Sequence, residues 1–156
     1  MLFRQYLLPL LLAILSLTIG CSAIESLNQP PPPTPLPFNL FNAQQVLDAL
    51  TAAGLSVENP TREMLVGRGA PGSFRDRYVF EIDTVAPFGG QVLIFDTPET
   101  LAEWQSYINR LRASSATARD VSYVYVHHNV MLQVNANLPL AQAHAYRDAL
   151  VGMTVP

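Results

Sequence analysis

Lysine is missing from this chain of 156 residues, and cysteine occurs once. Without lysine there is no Schiff-base chemistry and no P-loop lysine. A single thiol excludes an internal disulfide and any multi-cysteine zinc or iron–sulfur centre. Charge is sparse as well: nine arginines face twelve acidic residues, for a net charge of −3, so there is no basic field to hold nucleic acid. Neither a G-x-S-x-G nucleophile elbow nor an H-E-x-x-H metal pair occurs. What the chain has in quantity is apolar residues, 49% of the total. That is too many for a wholly disordered chain, and the length suits one domain.

The amino terminus reads as an address. Arg4 supplies positive charge, and Tyr6 to Ile19 form an apolar stretch interrupted by Pro9, Ser16 and Thr18. A spanning helix needs about 20 such residues, so the stretch fits the core of a signal peptide better than a membrane span. It ends in Leu17-Thr18-Ile19-Gly20-Cys21, which resembles a bacterial lipobox. The resemblance implies a signal peptide over residues 1–20, cleavage before Cys21 and a diacylglycerol on the Cys21 sulfur. Thr18 departs from the aliphatic residue usual at that position. An ordinary signal peptide, or a buried structural cysteine, is the alternative. Two acyl chains at about 0.8 kcal/mol per buried methylene give stable attachment without a spanning helix. Loss of Arg4 with the leader would leave eight basic against twelve acidic residues, a net charge of −4. The expected location is extracytoplasmic, on the cell membrane, or on the outer membrane where the cell has two.

Residues 21–40 then read as a lipidated cysteine and linker. Residues 29–37 hold six of the thirteen prolines. Such a run favours extended polyproline II over helix or sheet, at about 3.1 Å per residue, and serves as a stalk.

The remaining 41–153 carries the pattern of a single α+β domain. Asn42 and Gln45 form a capping box, Val46, Leu47 and Leu50 an apolar stripe, and Gly54 a left-handed C′ position. Tyr78, Phe80 and Ile82 alternate with Val79, Glu81 and Asp83, the period of a half-buried strand. Phe88-Gly89-Gly90 turns the chain into an apolar strand from Gln91 to Phe95. Thr97-Pro98-Glu99 opens a helix whose Leu101, Trp104, Ile108 and Leu111 share a face. Val121–Val126 and Val130–Val134 form a second hairpin about His127-His128-Asn129, and Pro139 opens a last helix ending at Gly152. These elements predict a two-layer fold: an antiparallel sheet of about four strands in two hairpins, with helices on one face. The order is α-ββ-α-ββ-α, a permuted ferredoxin-like arrangement.

The run Ala49-Leu50-Thr51-Ala52-Ala53-Gly54-Leu55, with the strand-to-helix passage Val92 to Thr100, resembles the small domains of exported bacterial lipoproteins. That resemblance implies an extracytoplasmic α+β module and transfers no activity or site residue.

Several groups invite chemistry. Arg68, Arg75 and Arg77, around the glycine-rich Gly67 to Ser73, make a candidate anion loop. Position 73 is Ser where a phosphate loop needs Lys. His127 and His128, as neighbours on a strand, point to opposite faces and share no ion unless the turn reorients them. His128 with His144 lacks a third ligand, so no metal and no cofactor is expected. Glu81 and Asp83 share a strand face, as exposed polar residues on half-buried strands do. With the valines inside, Tyr123, Tyr125, Phe95 and Met131 would form an outward aromatic platform beside Glu81, suited to a partner protein or a glycan. With the tyrosines inside, there is no platform.

The functional expectation is a lipid-anchored binding or accessory module of a bacterial envelope, not an enzyme, held to the membrane through Cys21. A small envelope hydrolase with scattered catalytic groups, or a self-associating surface subunit, is the alternative.

Overall fold

The computed structural model describes residues 37–114 and 122–155. The leader, Cys21 and most of the proline run lie outside the described residues.

The first helix, α1 (Ala43–Ala52), starts where the sequence says it should. The Asn42 side chain accepts from the Gln45 amide at 2.9 Å, and the Gln45 carboxamide accepts from the Asn42 amide at 2.8 Å. Gly54 takes φ +74°, which lets the Leu55 amide reach back to the Leu50 carbonyl at 3.1 Å. Three strands follow: β1 (Glu58–Arg62), β2 (Asp76–Glu81) and β3 (Gly89–Ile94). Then come α2 (Pro98–Ser114), the hairpin β4 (Ser122–His127) and β5 (Val130–Asn135), and α3 (Leu140–Val151).

The five strands form one sheet in the order β1-β2-β3-β5-β4, every neighbouring pair antiparallel. The sheet therefore has five strands rather than four. The addition is β1, a short and fully exposed edge strand containing Pro60 and a left-handed Asn59 (φ +50°), with its register broken between Glu58 and Thr61. Neither Leu55–Val57 nor Met64–Val66 joins the sheet. The other four strands take the order β2-β3-β5-β4.

The expectation of helices on one face needs correction, because the sheet is covered on both. On one side, α1 and α3 bury Val46, Leu47, Leu50, Ala143, Tyr146 and Leu150 against Phe80, Val92, Ile94, Val130, Leu132 and Val134. On the other, α2 buries Leu101, Trp104 and Ile108 against Leu93, Phe95 and Met131. The cause lies in the central strands. Valine, leucine, isoleucine and methionine occur without alternation over Val92–Ile94 and Val130–Leu132, so each strand presents an apolar side chain to both faces, and each face needs a cover. Leu111, placed on the apolar side of α2 by its spacing, is 43% exposed.

The glycine pair at the start of β3 is a packing requirement. A Cβ on Gly89 would lie 1.9 Å from the Phe80 carbonyl oxygen, and one on Gly90 would lie 2.7 Å from that of Gln133. The turn itself falls earlier, through the one-turn helix at Asp83–Val85 and a cis Ala86–Pro87 bond.

The domain begins before residue 41. Phe38 packs with the α2-side core, and Leu40 with the α1/α3 side. Asn129, wholly buried in the β4–β5 turn, clasps this segment. Its Oδ1 accepts from the Leu40 and Phe41 amides at 3.1 and 3.0 Å, and its Nδ2 donates to the Phe41 carbonyl at 2.8 Å.

Candidate functional site

The second face of the sheet is only partly covered. α2 lies over the ends of β3 and β5 that carry Leu93 and Met131. Beyond it, strand alternation brings Arg77 and Val79 of β2, Gln91 of β3 and Gln133 of β5 to the same face, with Gln91 directly opposite both Val79 and Gln133. Together with Phe88, Ser122 and Asn135 these residues line a shallow concavity of about 260 Å³. Gly89 and Gly90 form part of its wall, so no side chain fills it there.

A one-way chain of hydrogen bonds crosses its floor. Arg77 Nε donates to Gln91 Oε1 at 2.6 Å, Gln91 Nε2 donates to Gln133 Oε1 at 3.0 Å, and Gln133 Nε2 donates to the Met131 sulfur at 3.3 Å. Arg77 is held from behind, its Nη1 donating to the Leu65 carbonyl at 2.6 Å and the Glu63 carbonyl at 3.2 Å, with the Glu63 carboxylate 3.5 Å away. The guanidinium is therefore fixed in position, its side chain only 14% exposed. Each glutamine in the chain has its carbonyl oxygen occupied by a donor and keeps a further N–H, so the surface is rich in fixed donors. Phe88, 59% exposed, supplies an apolar rim. Such an arrangement suits recognition of ligand oxygens against an apolar edge.

Three groups whose ionisation the fold shifts lie on the opposite face. Burial pushes the Tyr146 phenol up to about 12, with Asp83 adding to the effect, while its hydroxyl donates to the Ser56 carbonyl at 2.6 Å. Burial also raises the Tyr125 phenol. It holds the His127 imidazole below its usual value, the neighbouring His128 acting in the same sense against a backbone hydrogen bond to Met153.

The expected aromatic platform is not formed. Tyr123 and Tyr125 pack into the α1/α3 core, with the Tyr123 hydroxyl donating to the Leu138 carbonyl at 3.3 Å, and Val124 and Val126 take the other face. Phe95 and Met131 are buried under α2. Glu81 is half-buried on the second face and accepts from the Asn59 carboxamide at 3.3 Å. A Tyr/Val alternation reads equally well either way round, and here the larger rings fill the deeper core.

The candidate anion loop is dispersed too. Arg68 is exposed. Arg75 binds the Asn39 side chain, the Phe41 carbonyl at 3.1 Å and Asp96 at 3.4 Å, which makes it a second clasp on the entering segment. Arg77 belongs to the concavity instead. Asp83 leaves the strand for the short helix after it, so it does not share a strand face with Glu81. His128 takes φ +49°, which turns its ring onto that of His127 (centroids 4.3 Å apart), and both rings lie 5.8 Å from Phe41. Among the described residues, no group of three or more His, Cys, Asp or Glu is placed to hold a metal ion. Among them also, no helix is long and apolar enough to cross a membrane.

The residues that sequence reasoning missed are Gln91, Gln133 and Asn129. The signal was present for the first two: each is a polar residue opening or interrupting an apolar run, residues 91–95 and 130–134. No family model, no curated protein and no solved structure matches this chain.

Proposed function

We propose that this chain is a lipid-anchored, extracytoplasmic binding module of a bacterial envelope, tethered by diacylglycerol on Cys21 and a proline stalk. Its binding surface is the concavity built on Arg77, Gln91 and Gln133. The observation that carries the binding role is the fixed donor chain from Arg77 through Gln91 to Gln133 on a sheet face that α2 leaves open. Buried or half-buried carboxamides in a β-strand cost desolvation unless they are paired, and Gln91 and Gln133 are paired to one another along the floor of the concavity. Ligands with carbonyl, carboxylate or hydroxyl oxygens match that line, and an envelope glycan or a partner's peptide backbone offers them. The leader and the lipobox-like residues support the location.

Two arms test the reading. An alkyne-bearing palmitate fed to expressing cells should label the wild type and fail to label Cys21→Ala; equal labelling would end the anchor proposal. Full-length protein in detergent should retain envelope glycans or proteins that a Gln91→Ala/Gln133→Ala variant releases. Identical retention by a folded variant would end the binding proposal.

A further inference from the structure

The concavity on the second face is a gap in a row of side chains. Strand pairing sets Glu81 opposite Gly89 and Ser122 opposite Asn135, with Val79, Gln91 and Gln133 in the next row of the same face. Gly89 leaves its place in the row empty, and the nearby Phe80 carbonyl keeps it a glycine. Glu81 is engaged by the Asn59 carboxamide of the edge strand and does not line the gap. Three carboxamides do line it, and each has its oxygen taken by a donor. Gln91 accepts from Arg77 Nε at 2.6 Å, Gln133 from Gln91 Nε2 at 3.0 Å, and Asn135 from the Asn137 amide at 2.8 Å. What they have left for a ligand is N–H. Arg77 is the one charged side chain among the described lining residues, and the Glu63 carboxylate 3.5 Å from its Nη1 offsets that charge. At the lip, the Phe88 ring is 59% exposed.

We infer, resting on the binding role proposed above, that this concavity takes one N-acetylated hexosamine unit of a neutral glycan. The spent carboxamide oxygens select the acetamide. A sugar hydroxyl brings a donor along with its lone pairs and needs an acceptor in return, whereas an acetamido carbonyl brings lone pairs alone. The acetamido methyl group has Val79, another lining residue, to pack on. Phe88 offers an aromatic face to the C–H side of the pyranose ring, an apolar contact that costs the sugar no hydroxyl hydration. The offset charge of Arg77 leaves no demand for an anionic unit. Size agrees: drug-sized ligands occupy about 300–1,000 Å³, and the concavity, at about 260 Å³, suits a single ring with its neighbours continuing outside. A peptide is a poorer match, because β2, β3 and β5 are each paired on both sides. The concavity therefore has no open main-chain edge to which an extended peptide could add.

The test is an NMR titration of the full chain, held in a polyoxyethylene detergent that carries no sugar, with triacetylchitotriose. The side-chain amide signals of Gln91, Gln133 and Asn135 should shift together, with a dissociation constant on the order of 1 mM. Cellotriose, which keeps the linkage and puts hydroxyls where the acetamides were, should bind at least tenfold more weakly. Affinity for triacetylchitotriose should be the same at low and high salt, as expected of a neutral ligand. Phe88→Ala should weaken it at least fivefold with circular dichroism unchanged, since that ring is exposed, and Leu140→Ala on the other side of the sheet should leave it as it was. Unmoved carboxamide signals, equal affinity for cellotriose, tighter binding of trigalacturonate or of trialanine, or a folded Phe88→Ala variant of wild-type affinity would each overturn the inference. Failure here is distinct from failure of the binding role. A chain that retains envelope material through Gln91 and Gln133 yet ignores triacetylchitotriose would lose this ligand and keep that role.

Discussion

Asn129 shows how one side chain can decide where a domain begins. Both of its polar atoms are committed to the backbone of residues 40 and 41, and its carbonyl accepts from the Phe95 amide at 2.9 Å, so the turn, the end of β3 and the entering segment meet at one residue. Asn129→Ala strands the buried Phe41 amide and leaves the Phe41 carbonyl to Arg75 alone. An unsatisfied buried group costs about 1–3 kcal/mol, so a loss of about 2–4 kcal/mol is expected in urea unfolding with an unchanged m-value. Gly89 is the second residue-scale case. An alanine there drives Cβ into the Phe80 carbonyl, which is backbone and cannot swing aside. Gly89→Ala should cost about 2–3 kcal/mol through overpacking and local loss of the β2–β3 pairing, read as a lowered midpoint of thermal unfolding. From the sequence, Asn129 read as a turn former with a tolerance for positive φ. That conformation went to His128, because the Asn side chain is worth more turned inward, where it satisfies three backbone groups.

Among the elements, those with local causes were legible in advance. α1 was written in its capping box and in Gly54, α2 in Thr97-Pro98, whose threonine hydroxyl accepts from the Thr100 amide at 3.3 Å, and β2 in its period of two. β1 was not, because Glu-Asn-Pro-Thr-Arg has the composition of a loop and owes its strand geometry to the β2 partner. The faces of β4 were not either, since Tyr and Val both suit a strand and only the depth of the α1/α3 core tells them apart. The two-sided burial was readable in principle, in the unbroken apolar runs of β3 and β5. The β4–β5 hairpin also carries a pH response. His127 binds a proton less readily in the folded chain than in the unfolded one, so acidification draws the equilibrium toward unfolding: stability is intact above the unfolded imidazole value near 6.5 and falls as pH drops below it. The melting temperature should therefore fall more between pH 7.5 and 5 for the wild type than for His127→Gln. Equal slopes would show that His127 does not titrate with folding.

For the whole molecule, the concavity depended on long-range register, which explains why its residues stayed hidden. Gln91 and Gln133 are 42 positions apart and meet because β5 inserts between β3 and β4. The same insertion places the β4–β5 turn, with Asn129, against the entering segment, residues 38–41, which is held by Asn129, by Arg75 and by the burial of Phe41. Both cores are built from residues 38–153, so a fragment of residues 37–156 should fold independently. One starting at residue 42 should fold with a loss of about 3–5 kcal/mol, since it forfeits a buried phenylalanine and the clasp together. The decisive comparison is a cycle between that truncation and Asn129→Ala. If the clasp is the coupling element, Asn129→Ala costs several kcal/mol in the 37–156 fragment and less than about 1 kcal/mol in the 42–156 fragment, because the groups it serves have gone. Equal costs in both would mean that Asn129 stabilises its own turn alone, and that the stalk joins the domain without being part of it.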